Sequence, residues 1–161
     1  MNKLGKKVIT KGILFILITS QVVLAINKGK EAKEEKHPID VWYEKCLANS
    51  EGGSFEMKDC AVKAHAMWDK EMNKIYKELM KRLPPKQKEA LKESQKQWLK
   101  FRDAEFDFLV KYYYETNPPG FGDFLLWMED ARMEIVKQRT LQLDRYLYHS
   151  EFLLPEGDTK K

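Results

Sequence analysis

The chain has 161 residues and a formal net charge of +4, from 29 basic and 25 acidic side chains. Lys3, Lys6, Lys7 and Lys11 lie in an acid-free N-terminal stretch and account for the whole of that excess, so the remainder is neutral and lacks the one-signed basic surface that nucleic-acid binding requires. This length supports one hydrophobic core rather than two.

After the lysines, Gly12 to Ala25 is almost wholly apolar, the layout of a secretory signal. The run is short for a bilayer span, which takes roughly 20 residues, and it ends in Val23-Leu24-Ala25, so cleavage after Ala25 is expected. An uncleaved N-terminal anchor is the other reading, and it is the only membrane contact foreseen. No cysteine follows to carry a lipid. The expected location is periplasmic or secreted. Residues 26–37 are charged and nearly free of apolar side chains, which marks a flexible tether.

Pro38 suits the first turn of a short helix that carries Trp42, Tyr43 and Cys46, and Asn49-Ser50-Glu51-Gly52-Gly53 ends it. Ser54 reads as the N-cap of a second helix. In that helix Met57, Ala61, Ala64, Trp68, Met72, Ile75 and Leu79 recur at three- and four-residue steps, the period of an amphipathic helix. Pro84-Pro85 closes it. A third helix is predicted from about Pro85 to about Thr116, with Leu91, Trp98, Leu99, Phe106 and Leu109 on its inner side, until Asn117-Pro118-Pro119-Gly120 breaks it. Asp123 reads as the cap of a fourth helix, whose predicted inner residues are Phe124, Met128, Ala131, Ile135, Leu143, Tyr146 and Leu147. The helical domain spans 38–152, with a disordered tail at 153–161. Cys46 and Cys60 are the two cysteines, and an oxidising compartment makes a disulfide their default state. The predicted fold is therefore all-α: an antiparallel helical bundle of three long helices plus a short N-terminal helix stapled by one disulfide.

Polar side chains sit within the apolar stripes. Across a hairpin folded at Pro84-Pro85, residues level with each other have numbers that add to a constant. Asp69 with Arg102, Asn73 with Trp98, and Tyr76 with Gln95 all share it. The expectation is a cross-helix polar ladder with an Asp69–Arg102 pair that sets register more than stability. The same six residues lining a ligand pocket is the alternative. No metal site is expected, because His37, His65 and His149 fall on separate segments. No cofactor motif, glycine-rich phosphate loop or nucleophile–base spacing occurs, so the protein is not read as an enzyme. Aromatic residues gather around the Pro118-Pro119-Gly120 break, and Tyr113, Phe121 and Trp127 are candidate contacts for a protein partner.

Met57-Lys58-Asp59-Cys60, Asp69-Lys70-Glu71-Met72-Asn73 with Tyr76, and Gln95, Trp98, Arg102 and Asp103 together resemble the lysozyme inhibitor LprI-like family of small exported bacterial helical domains. The likeness runs from about Cys46 to Arg139. Relatives often carry two further cysteines at places held here by Phe106 and Ala131, which implies a lost disulfide and an end of the bundle held by packing. The resemblance implies an exported, non-enzymatic binding protein whose partner is a protein of the lysozyme type. The alternative is an envelope structural or assembly factor that binds another periplasmic protein. An inhibitor of a basic enzyme should carry a local acidic patch, for which Glu151, Glu156 and Asp158, or Glu31, Glu34 and Glu35, are candidates.

Overall fold

The computed structural model describes residues 35–116 and 123–154. The expected signal at 1–25, most of the tether, Phe121 and the tail from Pro155 onward lie outside the described residues. The chain divides into two units, Met1–Lys36 and His37–Lys161, and the second holds all four described helices: α1 (Pro38–Ala48), α2 (Ser54–Arg82), α3 (Pro85–Thr116) and α4 (Phe124–Leu153). The predicted breaks at 49–53 and 84–85 fall where local chemistry put them, and the one at 117–120 lies outside the described residues. His37 caps α1, its Nδ1 accepting from the Ile39 amide at 3.2 Å, with Pro38 in the first turn. Glu51 and Gly52 take positive φ between α1 and α2, where the missing Cβ of Gly52 removes the usual steric cost.

The long helices run α2 up, α3 down and α4 up. Ser54 meets Asp123, the Thr140 hydroxyl reaches the Trp68 carbonyl at 3.3 Å, and Arg82 Nη1 reaches Glu151 at 3.1 Å, so α2 and α4 lie side by side and parallel. This is the most intimate packing in the unit. Small residues permit it: Ala61 and Ala64 on α2 and Thr140 on α4 are buried where the backbones approach. Trp68, Met72, Ile75, Leu79, Val136 and Leu143 fill the space above and below. Helix α3 is antiparallel to both and reaches α2 through side chains more than through backbone proximity.

The short α1 crosses the start of this pair, and the Cys46–Cys60 disulfide joins it to α2 with Cα atoms 5.8 Å apart. On its other side Lys137 pairs with Asp40 at 2.8 Å, and Tyr43 donates to the Asp130 carboxylate. Burial lifts the Asp130 carboxyl above its usual range, with the Tyr43 hydrogen bond opposing the rise. The Tyr43 phenol is in turn pushed above its ordinary value by burial and by that carboxylate.

One predicted cap is corrected, and the other holds its position without the expected bond. Gly53, not Ser54, is the N-cap of α2, and Asp123 occupies the N-cap of α4 without bonding an amide of its own helix. Instead the Ser54 hydroxyl donates to the Asp123 carboxylate, so the two side chains expected to cap their own helices join the starts of α2 and α4. The inner face of α4 is corrected as well. Its buried residues are Leu126, Met128, Met133, Val136, Arg139, Thr140, Leu143 and Ser150, while Tyr146 is exposed. Helix α4 packs against α2 on one side and α3 on another and meets α1 through Asp130 and Lys137, so a single-stripe reading found Met128 and Leu143 but missed Leu126, Met133, Val136 and Thr140.

Candidate functional site

The six ladder residues divide between two places. On α2, Asn73 donates to both the Asp69 carboxylate at 3.0 Å and the Asp69 carbonyl at 2.8 Å. With Tyr76 these residues border an open groove of about 930 Å³ whose lining comes wholly from α2 and includes Lys70, Lys74 and Lys77. On α3, Arg102 forms two bonds to Asp103, at 2.9 and 2.6 Å, and lies over the rings of Trp98 and Phe106. The hairpin itself is present, because His65 meets Phe106 edge to face at 5.6 Å and Gln95 reaches the Met72 sulfur at 3.8 Å. Asp69 and Arg102 nevertheless form no ion pair. Arg102 pairs with Asp103 on its own helix, and the Asp69 carboxylate accepts from Asn73 on its own.

His65 sits where these fields overlap. Burial pushes its pKa below the ordinary value of about 6.5; Glu129 and Asp69 oppose this, and Arg132 and Arg102 reinforce it. An unfolded chain therefore takes up this proton before the folded one does, and stability is lost as the pH falls through 6.5 toward the folded value. The urea midpoint should decline between pH 7 and pH 5, and His65→Gln should flatten part of that decline. Parallel slopes for the two proteins would contradict the burial of this imidazole.

The residue that sequence reasoning missed is Arg139. It is 6% exposed on α4, between the core residues Val136 and Leu143. Its Nε donates to Gln95 Oε1 at 3.0 Å, Nη1 to Gln142 Oε1 at 2.6 Å and Nη2 to Ser94 Oγ at 3.1 Å, and the guanidinium lies 5.9 Å from the Trp98 ring. All three acceptors are neutral, and among the described residues no carboxylate pairs with it. Gln95 and Trp98, predicted to face α2, thus hold an arginine of α4. The available signal was an arginine lying in helical phase with Val136 and Leu143, where an apolar residue is the norm. Beside it, α3 and α4 enclose an open cleft of about 720 Å³, lined by Trp98, Phe101, Gln138, Arg139, Gln142 and Arg145 among others.

The aromatic end is partly described. Tyr112 and Tyr114 are 50% and 58% exposed, Tyr113 is turned partly inward in helical phase with buried Leu109, and Trp127 is exposed. Tyr114 meets Phe124 edge to face at 5.1 Å and closes the end of α3 onto α4. At the two positions of the expected lost disulfide, Phe106 packs under His65, Arg102 and Arg132, and Ala131 borders the α3–α4 cleft.

A protein-family model described as lysozyme inhibitor LprI matches residues 46–143. The chain belongs to the LprI lysozyme-inhibitor family. The matched stretch begins at the first cysteine of the disulfide and ends on α4 just beyond Arg139 and Gln142, so it contains the staple, the α2–α3 hairpin and most of the cleft. The LprI chain is also similar to an uncharacterized protein from Burkholderia thailandensis of known crystal structure. That match has a TM-score of 0.66 and 28% identity, over 74% of this chain and 58% of the other. The chain thus spans little more than half the length of that protein. No curated protein matches it.

Proposed function

We propose that this LprI-family member is an exported, non-enzymatic binding protein of the cell envelope that inhibits a lysozyme-type muramidase by covering it. The match of the inhibitor family over the stapled bundle carries this reading, and the Cys46–Cys60 bridge fits an oxidising compartment. The contact face is the second half of α3. Phe108, Tyr112 and Tyr114 are exposed there, and Asp107 and Glu115 outnumber Lys111 among their exposed neighbours, while Asp103 is engaged with Arg102. Exposed aromatics ringed by carboxylates suit a basic protein partner. The acidic residues expected near the C-terminus serve less well, since Glu151 is engaged with Arg82 and Glu156 and Asp158 lie outside the described residues.

Titrating the purified chain into a lysozyme turnover assay tests this directly. Turnover should fall to a plateau near equimolar ratio, and the pair Phe108→Ala and Tyr112→Ala should raise the inhibition constant at least tenfold with the melting temperature unchanged. Full turnover at large molar excess of inhibitor would remove the proposal.

A further inference from the structure

We propose that the α3–α4 cleft is a binding site for an acidic sugar, a carboxylate carried on a ring of saccharide size. The proposal does not rest on lysozyme inhibition.

The charge arrangement is the starting point. Arg139 is more than nine-tenths buried, lines the cleft and has only amide and hydroxyl acceptors. A buried guanidinium without a counter-ion loses hydration that neutral acceptors only partly replace. Its three hydrogen bonds use one N–H on each nitrogen, so each terminal nitrogen keeps one donor over. A donor on each terminal nitrogen is what a carboxylate needs to bind a guanidinium side by side, the pairing that the proposed site would use. Arg145, on the same cleft, supplies a second cation, and Glu134 is the one acid of the lining, so the site favours an anion.

The remaining lining argues for a sugar rather than a bare carboxylate. Trp98 and Ile135 form an apolar wall, and Phe101, half exposed, stands at the mouth, where an aromatic side chain can meet the C–H face of a pyranose. Gln138, whose amide nitrogen donates to Glu134, keeps its carbonyl oxygen as an acceptor for a ligand hydroxyl, and Gln142, bonded to Arg139 and Tyr146, keeps one N–H to donate. The cleft volume lies within the roughly 300–1,000 Å³ typical of small-ligand sites. The Gln95–Arg139–Ser94 bonds tie α3 to α4, so the guanidinium is held in place before a ligand arrives.

Calorimetric titration of the purified chain with glucuronic acid, N-acetylmuramic acid, N-acetylglucosamine and phenylacetate separates the sources of the carboxylate. One or both acidic sugars should bind at least tenfold more tightly than N-acetylglucosamine and than phenylacetate, and should raise the melting temperature with the logarithm of ligand concentration above Kd. Arg139→Gln should abolish binding. Because that buried variant risks misfolding, Arg145→Gln and Phe101→Ala serve as the surface tests: each should weaken binding at least fivefold while leaving the melting temperature unchanged, and Arg145→Gln, which lies off the α3 contact face, should also leave lysozyme inhibition unchanged. Equal binding of acidic and neutral sugars overturns the proposal. So does phenylacetate binding as tightly as the acidic sugars, or surface variants that bind like the wild type.

Discussion

Replacing Trp68 with alanine should lower the unfolding free energy by about 3–5 kcal/mol, a large part of the 5–15 kcal/mol that a domain of this kind possesses. Trp68 has no exposed surface and lies at the junction of three helices. The His37 ring covers it at 4.3 Å, the Lys137 ammonium lies 5.6 Å from its ring, and its backbone carbonyl accepts from Thr140. Truncation would therefore open a cavity between α1, α2 and α4 together, where collapse of one helix alone cannot fill it. The indole nitrogen of Trp68 has no hydrogen-bond partner among the described residues, so its polar atom costs stability while its carbon surface supplies it. Trp68→Phe, which removes that donor and keeps most of the ring, should be much milder than Trp68→Ala. Denaturant unfolding of the two variants would measure both effects, and equal losses would show that a phenyl ring cannot retain the packing that the indole supplies.

Opening the Cys46–Cys60 bridge is the second large effect. The two cysteines are 14 positions apart, and closing a loop of that size restricts the unfolded chain by about 3 kcal/mol. The paired substitution Cys46→Ser and Cys60→Ser should therefore lower the denaturant midpoint by an amount equivalent to roughly 2–4 kcal/mol. Helix α1 should suffer first. A helix of 11 residues is marginal alone, and without the bridge it is held by Tyr43, Asp40 and the contact of Ile39 and His37 with the core. Amide exchange across Ile39–Leu47 should quicken more than across Ala64–Leu79. Uniform quickening would mean that the bridge stabilises the entire bundle equally.

Helix number and boundaries were legible because proline and glycine act locally. Pro38 and Pro85 each open a helix, and the Glu51-Gly52 turn separates α1 from α2. The apolar stripe of α2 was legible for a related reason: it has one inward face, and all seven predicted positions but Met57 are buried. Helix α4 defeated the same reasoning because it has neighbours on more than one side, so apolar residues occur around much of its circumference. Side-chain partnerships were the least legible. Ser54 and Asp123 were read as caps because each stands at a helix start, yet their side chains bond each other across the bundle rather than amides of their own helices. The hairpin register that brought Asp69 level with Arg102 agrees with the His65–Phe106 contact, but register fixes height and not distance. Arg102 had Asp103 one residue away and rings of its own helix beneath it. The binding of Arg139 by Gln95 and Ser94 joins α4 to α3, and no pattern confined to one helix reports it.

The parallel course of α2 and α4 also constrains how the molecule acquires its shape. Neighbours in that interface, such as Trp68 and Thr140, are 72 positions apart, so a helix made early waits for one made late. A hairpin of α2 and α3 leaves Trp68, Met72 and Leu79 uncovered until α4 emerges. Premature termination anywhere before Phe124 would therefore yield a sticky fragment rather than a smaller working one. Assembly should also be slower than in bundles whose tightest pairs are consecutive, because the longest chain closure comes before the largest gain.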